Sequence, residues 1–161
     1  GTGKTRLSLQ VAAELLEQFD HGVWFVELAP LTDPDLIPQT ILSAIGIQEQ
    51  QGKAPLEILK EYFQEKQALI VLDNCEHLIE ASARLADALL HSCKNLKIIA
   101  SSREALGAVG EKSWRVPSLS RRSLHGSTGG AFAKSGRGSA SVTALASCWR
   151  APTWSPYPTA Q

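Results

Sequence analysis

Ala68-Leu69-Ile70-Val71-Leu72-Asp73 is an unbroken apolar run closed by a carboxylate. A strand that is apolar at every position, rather than at alternate ones, is covered on both faces, as strands of a parallel sheet are. Val23-Trp24-Phe25-Val26-Glu27-Leu28, a β-branched and aromatic run, reads as a second buried strand, and Leu96-Lys97-Ile98-Ile99-Ala100-Ser101 as a third. Trp114-Arg115-Val116 is a weaker candidate. Between them the spacing turns helical. In residues 4–18, Leu7, Val11, Leu15 and Leu16 recur three and four apart, with Glu14 and Glu17 off the stripe. A second helix is predicted over 35–45, with Pro38 in its first turn. Pro55 opens a third, over 55–66, at the position proline favours. A fourth, over 76–93, carries Leu78, Ile79, Leu85, Ala86, Leu89 and Leu90. Alternating strands and helices joined by short links predict an α/β fold with a parallel sheet.

The chain has 161 residues, enough for one domain with an appendage. Its 16 basic and 16 acidic residues exclude a wholly basic nucleic-acid binder. Its longest uncharged apolar run in the ordered-looking part, residues 68–72, is about a quarter of the ~20 residues that cross a bilayer, so no membrane association is expected. Cys75, Cys93 and Cys148 form no Cys-x-x-Cys pair, which points away from a disulfide framework or zinc site and toward a reducing, cytoplasmic setting. The charge is unevenly placed. Residues 1–119 hold all 16 acidic residues and 11 of the basic ones, a net charge of −5. Residues 120–161 hold Arg121, Arg122, Lys134, Arg137 and Arg150 and no acid, a net charge of +5. Ser, Gly, Ala and Pro dominate this second part, and apolar spacing is faint outside residues 142–149. A domain boundary is expected near Leu119, with a disordered low-complexity tail beyond it, because such a segment buries too little to offset its ordering entropy.

Three features belong to phosphate chemistry. Gly3-Lys4-Thr5 matches the end of the phosphate-loop pattern Gly-x-x-x-x-Gly-Lys-[Ser/Thr]. Small residues there let backbone N–H groups point at a phosphate, and the helix that follows adds its positive end. Lys4 would reach the β- and γ-phosphates and the Thr5 hydroxyl would hold Mg²⁺. Alone the tripeptide is a weak signal, better read as an ordinary loop. Asp73 ends a buried strand at the sheet edge where α/β ligands bind, and could hold a Mg²⁺ water opposite Thr5; its plain reading is a turn residue beside Asn74. Ser101-Ser102-Arg103 ends the next strand, where a guanidinium could meet a γ-phosphate; the plain reading is a surface Arg103 paired with Glu104. All three in this order favour nucleotide binding.

Taken together, Gly1-Thr2-Gly3-Lys4-Thr5-Arg6-Leu7, Val23-Trp24-Phe25-Val26-Glu27-Leu28-Ala29-Pro30-Leu31, Val71-Leu72-Asp73-Asn74-Cys75-Glu76-His77-Leu78 and Ser101-Ser102-Arg103-Glu104-Ala105-Leu106 resemble the NB-ARC-like (STAND-class) P-loop ATPase module of LuxR- and AfsR-type bacterial transcriptional regulators. The resemblance covers residues 1–119. It implies an ATP/ADP-operated switch whose nucleotide state controls self-association and, through other domains of the full regulator, DNA binding. It implies phosphate binding by Gly1, Gly3, Lys4, Thr5 and Arg6, Mg²⁺ held by Thr5 and Asp73, and γ-phosphate sensing by Arg103. Slow hydrolysis would involve Asp73 and Arg103, with Glu76 as a candidate to orient the attacking water; its plainer reading is a carboxylate in a helix's first turn.

The chain departs from the family pattern in four places. Residue 1 falls inside the loop pattern, so the first half of the loop and its strand are expected to be missing from an N-terminally shortened piece. Asn74 stands where many related ATPases have a second acid, which also sets an AAA+ reading behind the NB-ARC-like one. The family's downstream helical portions are not recognisable after Leu119. The tail's abrupt change of composition near Ser120 suggests a reading-frame shift, with a natural basic linker as the competing reading. Two functions therefore stand: a nucleotide switch module with slow ATPase activity, and a non-catalytic fragment acting at most as an interaction surface.

Overall fold

The computed structural model describes residues 4–116 and 140–145. Helix α1 (Lys4–Leu15) leads through a 3₁₀ turn at Leu16–Gln18 to strand β1 (Val23–Glu27). Helices α2 (Ile37–Ile45) and α3 (Pro55–Phe63) follow, then β2 (Leu69–Asp73), α4 (Ile79–Ser92), β3 (Lys97–Ser102), β4 (Lys112–Val116) and β5 (Ala140–Leu145). The five strands form one sheet in the order β1-β2-β3-β5-β4. Strands β1, β2 and β3 are parallel, as expected.

Strand register explains the uniform apolarity of β2, all five of whose residues are buried. Trp24 pairs with Ile70 and Ile70 with Ile98, while Val26 pairs with Leu72 and Leu72 with Ala100. These residues pack in one core with Ile41, Leu42, Leu59, Phe63 and Leu89 from α2, α3 and α4. The alternate residues, Leu69, Val71, Phe25 and Ile99, face the opposite way and pack with Ala12 and Leu15 of α1 and with Phe19. Three helices thus cover one face of the sheet and α1 the other. Each fully buried Leu, Ile or Phe contributes roughly 1.5–3 kcal/mol.

Helix boundaries follow local chemistry more than periodicity. The helix predicted over 35–45 opens with a 3₁₀ turn at Pro34–Leu36, capped by the Asp33 carboxylate, which accepts from the Asp35 N–H at 3.0 Å. Gly46 ends it in the left-handed conformation that glycine adopts freely. The helix predicted over 76–93 is split: a 3₁₀ turn at Cys75–His77 gives way at Leu78 to α4. No helix among the described residues is long and apolar enough to cross a membrane.

Strand β5 lies within the span 120–161 read as a low-complexity tail and overlaps the stretch 142–149 where that span shows some apolar spacing. It runs antiparallel to both β3 and β4. Ser141-Val142-Thr143 has the β-branched character that strands favour, and pairing with β3 covers an edge that would otherwise expose a row of unpaired amides. Strand β4 then runs in the same sense as β1–β3. The rest of the expected tail, 120–139 and 146–161, lies outside the described residues, as do Gly1 and Gly3 of the loop pattern.

Gly22 fixes the entry to β1. Its φ is +99°, and an added Cβ would lie 2.5 Å from the Trp24 ring. Its N–H donates to the Phe19 carbonyl and its own carbonyl accepts from the Leu69 N–H. Gly107 has a similar φ of +78° but open space around it. Gly22→Ala should therefore lower stability by about 2–4 kcal/mol and Gly107→Ala by only ~1 kcal/mol. Urea unfolding of the two variants checks this, the difference between them isolating the Trp24 clash.

Candidate functional site

The site is built around a buried carboxylate. Asp73 closes β2 with only 2% of its surface exposed. A charge taken out of water needs partners, or the fold bears the desolvation penalty. Two hydroxyls from different elements meet this need. Thr5, in the first turn of α1, donates from Oγ1 to Asp73 Oδ2 at 2.6 Å, across 68 residues of sequence. Ser101, in β3, donates from Oγ to Asp73 Oδ1. The Ser101 oxygen in turn accepts the Asn74 N–H at 3.0 Å. The Asp73 carbonyl accepts the Leu28 N–H, tying the chain after β1 to the same point.

Asn74 has a φ of 64°, the one left-handed residue other than glycine among those described. Asparagine tolerates this conformation better than most side chains. The sharp turn lets Asn74 aim its N–H at Ser101 and sends the next residues into the 3₁₀ turn Cys75–His77. The residue that stands in place of a second acid therefore has a conformational task. Cys75 is fully buried, its thiol directed at the Leu72 carbonyl at 3.6 Å. Burial also pushes the Cys93 thiol above its ordinary pKa, against a smaller opposing effect of Lys60. Both cysteines serve as packed side chains.

A second pair forms where the chains leave β2 and β3. Arg103 Nε lies 2.8 Å from Glu76 Oε2. Both residues line an open cleft of about 410 Å³ with His77, Ile79 and Glu104. The plain reading of Arg103 paired it with Glu104, whereas it meets Glu76, which also stands in the first turn of a 3₁₀ helix as its plain reading had it. His77 Nε2 is 2.6 Å from the Leu31 carbonyl, which anchors the loop after β1 beside the cleft.

The residues singled out from the sequence thus fall into two groups. Thr5 and Asp73 come together directly, and Glu76 and Arg103 come together at the same edge of the sheet. Arg6 is exposed on α1. Lys4 opens α1, while Gly1 and Gly3 lie outside the described residues. Ser101 is the participant that sequence reasoning missed, having assigned a role only to Arg103 in Ser-Ser-Arg. A signal was present: Ser101 and Ser102 end an apolar strand and are both buried, and buried hydroxyls require partners.

The site's donors are a hydroxyl and a carboxylate, an all-oxygen set suited to a hard cation such as Mg²⁺, which is usually held by one or two protein oxygens plus water and phosphate. The sequence comparisons agree with this chemistry. Residues 1–108 match the AAA domain family. The chain belongs to that family. It is a P-loop NTPase family. An uncharacterised protein of Mycobacterium tuberculosis is 42% identical over 120 residues, covering 74% of this chain and 30% of that protein. A provisionally named HTH-type transcriptional regulator of the same organism is also 42% identical over 120 residues, covering 13% of its own length. A Mycobacterium bovis protein of the same provisional name matches equally well. The chain spans under a third of the length of these relatives.

Ser101→Ala would leave one oxygen of a buried carboxylate without its donor and the Asn74 N–H without its acceptor. It should destabilise the domain by about 1–3 kcal/mol, whereas Ser113→Ala, at an exposed position, should change stability by less than ~0.5 kcal/mol. Chemical denaturation of the two variants checks this.

Proposed function

We propose that the chain is an ATP/ADP-binding switch module of a bacterial transcriptional regulator, of the NB-ARC-like (STAND) class within the P-loop NTPases. The observation that carries this reading is the Thr5–Asp73 hydrogen bond. It joins the end of the phosphate-loop pattern to the carboxylate that closes the central strand, the two positions from which such proteins hold a nucleotide's metal. Similarity to regulators named for an HTH supports the cellular role. DNA recognition would belong to a domain outside this sequence, and the setting would be the cytoplasm.

In this reading Gly1, Gly3 and the first amides of α1 surround the phosphates, and Lys4 and Arg6 add positive charge. Thr5 and Asp73 would hold the nucleotide's Mg²⁺, which would supply charge neutralisation at the phosphates. Ser101 holds the Asp73 carboxylate in the orientation that faces Thr5. Arg103 meets the γ-phosphate and so distinguishes ATP from ADP. Glu76, three residues after Asp73, orients the attacking water for slow hydrolysis. The nucleotide-dependent change reaches the other domains of the regulator through the segments that leave β2 and β3, where both Glu76 and Arg103 sit.

Calorimetric titration with ATP and ADP, each with Mg²⁺, tests the reading. Saturable binding is expected, weakened at least about tenfold by Lys4→Ala, since a charge-assisted contact to phosphate contributes ~1.5–3 kcal/mol. Absence of saturable binding to either nucleotide would favour a non-catalytic interaction module.

A further inference from the structure

Arg103 is already engaged. Its guanidinium Nε is 2.8 Å from Glu76 Oε2, although 73% of the Arg103 side chain remains exposed while only 23% of the Glu76 side chain does. The carboxylate is thus the more buried partner, on a short 3₁₀ turn, and the arginine the one more open to an incoming ligand. The separation of the two is set by the site beneath them. Asp73, three residues before Glu76, is bonded to Ser101, two residues before Arg103. The ends of β2 and β3 are therefore clamped together, and the pair closes the gap above the clamp.

Resting on the reading in which Arg103 meets the γ-phosphate, we propose that Glu76 sets the preference of the site for tri- over diphosphate by competing with the γ-phosphate for the Arg103 guanidinium. A diphosphate ends short of Arg103 and leaves the Glu76–Arg103 pair intact. A triphosphate must draw Arg103 from Glu76 to gain its own charge-assisted contact. Its affinity is therefore reduced by whatever the pair contributes, and the affinity for diphosphate is not. The exchange also gives the switch its two arrangements: Arg103 on Glu76 in the diphosphate state, Arg103 on phosphate with Glu76 released toward the reacting water in the triphosphate state. A ligand shifts such an equilibrium only through its differential affinity for the two arrangements.

The test measures dissociation constants of ADP and of a non-hydrolysable ATP analogue, each with Mg²⁺, for the 161-residue chain and for Glu76→Gln, Arg103→Ala and the double variant. Glu76→Gln should tighten the analogue by about two- to fivefold, the worth of an exposed ion pair, and leave ADP unchanged. In the Arg103→Ala background the same substitution should have no effect, because nothing remains to compete for. The Arg103 Nε–H resonance gives a readout independent of turnover: it should move on adding the analogue but not on adding ADP. Three results would overturn the proposal while leaving the nucleotide site standing: equal changes for both nucleotides, a gain that persists without Arg103, or weaker analogue binding by Glu76→Gln. Failure of the unsubstituted chain to bind either nucleotide would instead overturn the nucleotide reading, and this proposal with it.

Discussion

A single buried carboxylate organises this protein. Asp73 closes the apolar strand β2 and is buried, a place where an unpartnered charge would cost several kcal/mol. Its two oxygens are met by hydroxyls from α1 and β3, elements on the two sides of β2 in sequence. That requirement fixes where the N-terminus of α1 must stand over the sheet and how the ends of β2 and β3 align. The left-handed turn at Asn74 and the short turn after it follow from the same demand, since the Asn74 N–H must reach Ser101. The cleft with Glu76 and Arg103 is then the rim of this arrangement rather than a separate feature.

Much of the fold was legible because burial leaves a plain trace in sequence. Uniform apolarity marked β2 as a parallel strand covered on both faces, and the register places alternate residues of β2 and β3 against α1 and against α2–α4. Pro55 marked the start of α3 correctly. What periodicity could not supply was how helices break. Residues 76–93 carry one continuous apolar stripe, yet the turn demanded by Asn74 cuts the helix at Leu78. Strand β5, six residues of modest apolarity in a Ser- and Gly-rich context, carries little signal of its own; it pairs with the edge of β3, which no local pattern reveals.

The site was legible in its residue types and less so in its pairings. Thr5 and Asp73 were paired by chemistry across 68 residues, and they touch. Arg103 and Glu76 were each singled out, but with other roles for their charges, because sequence proximity favours Glu104 and the first turn of a helix over a partner 27 residues away. Ser101 went unassigned because a serine is common at strand ends, and only its burial beside Asp73 makes its hydroxyl indispensable. Asn74 was read for the second acid it replaces, whereas its left-handed backbone gives it a conformational task that no residue type announces.

The measurement closest to the central claim is a double-mutant cycle on the Mg²⁺ dependence of nucleotide binding, using Thr5→Val, Asp73→Asn and the pair. If Thr5 and Asp73 act as one metal-holding unit, each single substitution removes most of the gain in affinity that Mg²⁺ provides. The double variant then loses little more, a coupling of at least ~1 kcal/mol. Strictly additive losses, or a Mg²⁺ gain that survives Asp73→Asn, would contradict the account.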